Sequence, residues 1–120
     1  MRRALIADDD QDAAGLFAQV ATECGYEVET VNDGEAALAV LQDFQPDIAL
    51  LDINMPKADG LEVARFIRSQ PWGGAVTIVA VTGMATVSNL REAGTSGLDH
   101  CLTKPVDLDV ILEILDCHLQ

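Results

Sequence analysis

Short apolar runs recur along the chain, and each one stops at a polar residue or a turn. The runs Ala4–Ala7, Ile48–Leu51 and Val76–Val81 are apolar at almost every position. Such runs predict strands that are covered on both faces of a sheet. Tyr26–Val31 alternates acidic and apolar residues, which predicts a half-exposed strand, and His100–Thr103 predicts a short fifth strand.

Amphipathic stretches with apolar residues at helical spacing separate these strands. Asp10 or Asp12 is placed to cap the first predicted helix, and Pro46 ends the second. The fourth predicted helix is the weakest, because two glycines follow it. The predicted helices cover residues 12–24, 36–44, 61–69, 87–93 and 106–119.

Five repeats of a strand followed by a helix indicate the fold class. Continuous apolar strands that alternate with helices form a parallel sheet with helices on both faces. Right-handed crossovers then lead to a doubly wound open sheet. A length of 120 residues, of which 49% are hydrophobic, fits a single α/β domain over residues 1–120.

The charge balance excludes some functions. Twenty Asp and Glu stand against seven Lys and Arg, for a net charge of −13. Because nucleic acids and anionic membranes attract basic surfaces, we expect neither as a direct partner. The apolar stretch Ala4–Ala7 is too short for a signal peptide, and no run approaches the ~20 residues that span a bilayer. Three irregularly spaced cysteines predict reduced thiols, so we expect a cytoplasmic protein.

Polar side chains follow the predicted strands at the edge where open α/β sheets bind their ligands. They come from four strands that are distant in sequence, and the fold is expected to bring them to one rim. The set comprises Asp8, Asp9 and Asp10 after the first strand, Asp52 after the third, Thr82 after the fourth and Lys104 after the fifth.

This set has the side chains that phosphoryl chemistry needs. Carboxylates close together raise one another's pKa unless a cation compensates them, and oxygen-only ligation suits Mg²⁺. A carboxylate at the centre of such a site can attack phosphorus and form an aspartyl phosphate. The hydroxyl of Thr82 and the ammonium of Lys104 can hold the phosphoryl oxygens, because phosphoryl transfer needs mainly positioning and charge neutralisation.

Four motifs carry a resemblance to a known family. They are LIADDD (5–10), LLDINMPKADG (50–60), VTG (81–83) and LTKP (102–105), in this order on the predicted strand ends. Over residues 2–119 the chain resembles a response-regulator receiver domain, the phosphoacceptor module of two-component signalling. The resemblance implies a flavodoxin-like (βα)5 fold, with a five-stranded parallel sheet in the order 2-1-3-4-5.

The resemblance also assigns the metal site and the acceptor. Asp52 matches the phosphoacceptor. Asp8 and Asp9 match the acidic pair that holds Mg²⁺, with Asp9 as the direct ligand, and Asp52 completes the carboxylate ligands. Asn54 matches the position that offers its backbone carbonyl to the metal.

A second group of residues matches the switch that responds to phosphorylation. Thr82 matches the switch hydroxyl and Lys104 the phosphate-binding lysine, and the bond before Pro105 is usually cis in the family. The residue three before the lysine is commonly aromatic in the family, but here it is Cys101, which we expect to be a small buried residue. His100 is the neighbouring candidate for that role, although strand alternation directs it to the other face.

The resemblance implies a signalling switch and not an enzyme, apart from promoting its own phosphorylation and dephosphorylation. The expected phosphodonor is a histidine kinase or a phosphotransfer protein. The expected downstream partner is a protein that binds the face formed by the predicted fourth helix, fifth strand and fifth helix. We expect a chain without an attached output domain, either a stand-alone receiver or the receiver of a hybrid kinase.

Two other functions fit part of the sequence. Asp8 and Asp10 have the D-x-D spacing of small haloacid-dehalogenase-like phosphohydrolases, although Asp12 stands where that family usually has Thr or Val. A receiver-like module that signals by contact alone is the other alternative. The complete set of acceptor residues argues against it.

Overall fold

The computed structural model describes residues 2–53, 60–83 and 97–116. Five parallel strands form one sheet in the order β2-β1-β3-β4-β5, which confirms the predicted topology. The strands are β1 (Arg3–Ala7), β2 (Glu27–Val31), β3 (Ile48–Asp52), β4 (Thr77–Thr82) and β5 (His100–Thr103).

The described helices lie on both faces of this sheet. The predicted helix over residues 87–93 lies outside the described residues. Three aspartates, Asp10, Asp33 and Asp107, begin helices by accepting hydrogen bonds from backbone N–H groups of the first turn. The helices are α1 (Gln11–Glu23), α2 (Gly34–Val40), α3 (Gly60–Ser69), a 3-10 turn (Gly73–Ala75) and the C-terminal helix (Leu108–Ile114).

Two helix boundaries differ from the prediction. α2 ends at Val40, and the next turns contain tighter bonds such as Asp43 N–H to the Val40 carbonyl. Phe44 still packs against the core from this turn, so the apolar stripe runs past the helix itself. The C-terminal helix begins at Leu108, later than predicted, because Asp107 has an extended backbone and caps it.

The core has two layers because successive strand residues point to opposite faces. On one face, Ile6, Leu50 and Val79 pack with Phe17 of α1 and Ile111 of the C-terminal helix. On the other face, buried strand residues pack against α2 and α3; they include Leu5, Leu51 and Ile78, with Leu41, Val63 and Ile67 from the helical side. Burial on both faces explains why β1, β3 and β4 are continuous apolar runs.

The cysteines depart from the sequence prediction. Cys24 is disulfide-bonded, so the expectation of reduced thiols is wrong for this residue. Cys101 is exposed, which corrects the prediction of a small buried residue. β5 pairs with β4 alone in the described sheet, and this edge position leaves Cys101 accessible. Disulfide pairing depends on which residues the fold brings together, and irregular spacing gives no signal for it.

None of the helices in residues 2–53, 60–83 and 97–116 combines the length and the apolar character needed to cross a bilayer.

Candidate functional site

The carboxyl ends of the central strands bring two aspartates together. Ala7 of β1 pairs with Leu51 of β3, so Asp8 and Asp52 stand at the same level. Both are almost completely buried, with 2% of Asp8 and 4% of Asp52 exposed. Asp9 is the next residue and is exposed. Buried carboxylates are rare in proteins unless they are compensated by a partner, which makes this pair the natural centre of a site.

Three carboxylates form one cluster. Asp8, Asp9 and Asp52 each offer an oxygen, and these atoms lie within 4.8 Å of one another. Asp8 is held in place because its Oδ1 accepts a hydrogen bond of 2.9 Å from the Asp10 N–H. The predicted metal residues Asp8, Asp9 and Asp52 are therefore brought together by the fold. Asn54 lies outside the described residues, and its carbonyl stays a prediction.

Lys104 bridges the two buried carboxylates. Its Nζ lies 3.4 Å from Asp52 Oδ2 and 3.5 Å from Asp8 Oδ2. The residue follows β5 directly, its N–H donates to the Thr82 carbonyl at 2.8 Å, and its peptide bond to Pro105 is cis. The long side chain thus reaches across from the edge strand to the two central strands.

Thr82 ends β4 at the same edge of the sheet. It is completely buried, and it follows Val81, which is the register partner of Asp52. Its carbonyl holds the N–H of Lys104, so the backbone positions of these two residues are linked. The fold therefore places Thr82, which has a hydroxyl, and Lys104, which has an ammonium, at the edge of the sheet where β3 ends with Asp52.

Burial and charge shift two pKa values in the site. Burial raises the pKa of Asp8, and the negative charge of Asp52 raises it further. The hydrogen bond from the Asp10 N–H and the positive charge of Lys104 lower the pKa, but they offset only part of this increase, so the net shift is upward. Burial lowers the pKa of Lys104, but the charges and hydrogen bonds of Asp8 and Asp52 outweigh it and the net shift is upward. Lys104 is therefore an ammonium at neutral pH. Its single positive charge compensates only part of the negative charge of the three carboxylates.

The donor set fits Mg²⁺. All three groups are carboxylates, and hard oxygen ligands are those that Mg²⁺ prefers. Octahedral ligands at roughly 2.1 Å from the ion lie about 3–4 Å apart, and the oxygens of this cluster lie within 4.8 Å of one another. The exposed Asp9 leaves one side of the cluster toward water, and Mg²⁺ usually retains several waters.

Asp8→Asn is expected to stabilise the metal-free protein at neutral pH, because the raised pKa shows that the folded protein disfavours the charged form of Asp8. The amide keeps the shape of the side chain but removes a buried negative charge that faces Asp52. The pKa of Asp8 is raised in the folded protein, so protonated Asp8 contributes fully to folding stability below its ordinary pKa of 3.8. This contribution to stability is lost as the pH rises through the pKa of the folded state.

Urea unfolding of both proteins in metal-free buffer measures this effect. The difference should be present at neutral pH and disappear in acid, where Asp8 is protonated in both states. A variant that is less stable than the wild type at neutral pH would contradict the assigned cause.

Gly60 contributes to the site through its backbone, although the sequence marks it only as the last residue of the motif LLDINMPKADG (50–60). It begins α3, and its N–H donates to the Ile53 carbonyl at 3.3 Å. A Cβ at this position would lie 2.7 Å from the carbonyl oxygen of Asp52. Only glycine permits this approach of α3 to the backbone of Asp52. The motif DG at 59–60 held the signal, but a turn explains it equally well.

Gly60→Ala is expected to destabilise the protein by about 2 kcal/mol or more, because the methyl group collides with backbone that has no room to move. Gly15→Ala is the matched control. Gly15 lies within α1, nothing stands within 4 Å of its added Cβ, and alanine there should stabilise by about 0.5–1 kcal/mol. Equal effects of the two substitutions in urea unfolding would refute the close approach.

The geometry separates Asp10 from the site. Its Oδ1 accepts from the N–H groups of Asp12 and Ala13 at the start of α1, so it acts as a helix cap. Among the described residues, the carboxylate cluster contains Asp8, Asp9 and Asp52, and Asp10 is not part of it. The phosphohydrolase alternative depends on the D-x-D pair Asp8 and Asp10. The carboxylates of these two residues do not belong to one cluster in this structure.

Comparison with known proteins adds independent findings. The response regulator receiver domain family matches residues 4–116. Sensor histidine kinase RcsC of Escherichia coli strain K12 is 37% identical over 116 residues, which cover 97% of this chain but only 12% of RcsC. The chain therefore spans a small part of the length of this curated relative.

Solved structures show the same likeness. The chemotaxis response regulator CheY4 of Vibrio cholerae has a TM-score of 0.86 and 29% identity, and the match covers 97% of each chain. A response regulator protein from Burkholderia pseudomallei, described with a phosphorylated aspartic acid, a calcium ion and citrate, has a TM-score of 0.81 and 25% identity. That match covers 96% of this chain and 66% of the other.

Proposed function

The chain belongs to the family of response regulator receiver domains, whose role is that of a phosphoacceptor in two-component signalling, and on this premise we propose that Asp52 is its phosphoacceptor. The observation that carries the proposal is the convergence of Asp8, Asp9 and Asp52 with the Nζ of Lys104 between the two buried carboxylates. A similar structure that holds a phosphorylated aspartic acid supports it.

In the proposed step, an Asp52 carboxylate oxygen attacks the phosphorus of a phosphohistidine. An oxygen–phosphorus bond forms, the nitrogen–phosphorus bond breaks, and the imidazole leaves with the electron pair. Lys104 moderates the negative charge of Asp52 before transfer and is close enough to bind a phosphoryl oxygen after it. Asp8 and Asp9 are the residues that would hold Mg²⁺ with Asp52 and the Asn54 carbonyl. When bound, the ion neutralises charge on the phosphoryl oxygens.

The proposed switch is driven by new contacts to the phosphoryl group. Thr82 and Lys104 supply a hydroxyl and an ammonium, and the hydrogen bond between Lys104 N–H and the Thr82 carbonyl makes the two strand ends move together. The proposed output face includes β5 and the C-terminal helix. Leu108 and Val110 are large apolar side chains exposed on that helix, which suits a protein partner. With Cys101 in place of an aromatic residue, this face must respond without a large rotating side chain.

The proposed partners follow from the family. A histidine kinase or a phosphotransfer protein donates the phosphoryl group, and a protein binds the output face. We propose that residues 1–120 form one receiver domain that acts in the cytoplasm. The net charge of −13 supports the absence of direct nucleic-acid or membrane contact. A stand-alone receiver and the receiver of a hybrid kinase both agree with these features.

A labelling experiment separates this function from phosphohydrolase activity. With labelled acetyl phosphate or a phosphorylated phosphotransfer protein, and with Mg²⁺, the chain should acquire a single acid-stable, alkali-labile phosphoryl group. Omission of Mg²⁺ should abolish the label. Continuous release of phosphate from p-nitrophenyl phosphate, without a labelled protein, would instead support the phosphohydrolase.

A further inference from the structure

Arg68 joins four segments of the chain at the sheet edge opposite the candidate site. It lies near the end of α3, and 23% of its side chain is exposed. A guanidinium has five N–H donors, and here each of the five has an acceptor. Nε donates to the Gly97 carbonyl, Nη1 to the carbonyls of Gly73 and Val76, and Nη2 to the Gly97 carbonyl and Asp99 Oδ2, at 2.6–3.0 Å.

Asp99 extends this contact to β4. The oxygen that accepts from Arg68 also accepts from the N–H of Ile78 at 2.7 Å, and the Asp99 N–H donates to the Ile78 carbonyl at 2.9 Å. Gly97 has a φ of +81°, and a Cβ there would lie 2.8 Å from side-chain atoms of Arg68. The backbone that enters β5 is therefore built closely around the guanidinium.

β5 needs such an anchor because it has few contacts of its own. It has four residues and pairs with β4 alone in the described sheet. A slip of one residue would move Lys104 by roughly 3.3 Å along the strand and turn it to the other face. The 3.4 Å contact between Lys104 Nζ and Asp52 Oδ2 would then be lost.

We propose that Arg68 is a positioning residue for phosphoryl transfer, which fixes the register of β5 on β4 and so holds Lys104 over Asp52. The inference rests on the proposed role of Lys104 at Asp52. The guanidinium clamps the N-terminal end of both strands through Val76 and Asp99, and the bond from Lys104 N–H to the Thr82 carbonyl closes the other end. Arg68 touches none of the reacting groups and acts through β5.

The chemistry of the clamp makes arginine necessary. Lysine has three donors on one nitrogen, so it cannot reproduce the five hydrogen bonds that the planar guanidinium makes to these four acceptor atoms. Arg65 offers a matched control, because it is an exposed arginine one turn earlier on α3. Arg68→Ala and Arg65→Ala remove the same side chain from the same helix, and only the first removes the clamp.

Hydrogen exchange tests the clamp without any phosphodonor. In Arg68→Ala the amide of Lys104 should exchange about tenfold faster relative to the amides of β3, which report global opening. The rate of labelling from acetyl phosphate should fall about tenfold at a temperature where circular dichroism shows the variant folded. Arg65→Ala should change neither. If Arg68→Ala does not fold, Arg68→Lys decides by the same two measurements.

Two results would overturn the proposal. One is an unchanged exchange rate of the Lys104 amide relative to the β3 amides, whatever the melting temperature. A residue with a merely structural role would accelerate the exchange of all these amides together. The other is an unchanged labelling rate in a variant whose Lys104 amide has lost protection. Absence of label in the wild type would refute the proposed function instead, while the exchange result would still show whether Arg68 holds the register.

Discussion

Asp52→Asn is expected to reduce phosphoryl incorporation to background, a loss of at least about a thousandfold, because the carboxylate that forms the bond to phosphorus is absent. Asparagine has nearly the same shape, and its amide is a poor nucleophile. The substitution also removes one of two buried negative charges that face each other across Lys104. The measurement is the initial rate of label incorporation from acetyl phosphate in the presence of Mg²⁺.

The variant must be shown to be folded for this result to count. Asp52 is buried and its partners Asp8 and Lys104 remain, so we expect a stability close to that of the wild type. Asp12→Asn is the matched control, because Asp12 is an exposed aspartate in the first turn of α1, and its label should equal that of the wild type. Undiminished labelling of Asp52→Asn would refute the assignment of the acceptor.

Asp9→Asn is expected to weaken Mg²⁺ binding about a hundredfold or more, because it removes one of three clustered carboxylates. Asp9 is the exposed member of the cluster, so its loss should change the free energy of unfolding by less than about 0.5 kcal/mol. The affinity can be measured by calorimetric titration with MgCl₂, and labelling should require a correspondingly higher Mg²⁺ concentration.

Asp12→Asn is again the control, since it removes the same charge from the same region of the surface. If Asp9 acted only through the net charge, both variants would weaken Mg²⁺ binding to the same extent. Raising the salt concentration would then remove the difference in affinity between each variant and the wild type. An unchanged affinity in Asp9→Asn would place the metal elsewhere.

Much of the fold could be read from the sequence because burial leaves a direct trace. The runs Ala4–Ala7 and Ile48–Leu51 are apolar at successive positions, which a strand exposed on one face would not be. The strand order came from the resemblance. Asp8, Asp52 and Lys104 could be predicted as site residues because each stands where a strand ends, and parallel strands end at one edge.

The other features depend on contacts that no local pattern encodes. Arg68 reads as an outward-facing charge of an amphipathic helix, and its acceptors at Gly97 and Asp99 are about thirty positions away. The disulfide of Cys24 also depends on tertiary proximity. The last residue of α2 and the first residue of the C-terminal helix differ from the prediction. An apolar stripe continues through a turn or a cap as readily as through a helix, so the pattern does not mark these boundaries.

The central claim is that the phosphoryl group is carried by Asp52, and chemical trapping of the labelled residue tests it most directly. Borohydride reduces an aspartyl phosphate to homoserine, which tandem mass spectrometry can locate in the peptide that contains β3. We predict homoserine at position 52, formed only when Mg²⁺ and the phosphodonor were both present. Homoserine at Asp8 or Asp9, or a label on His100 in its place, would contradict the account.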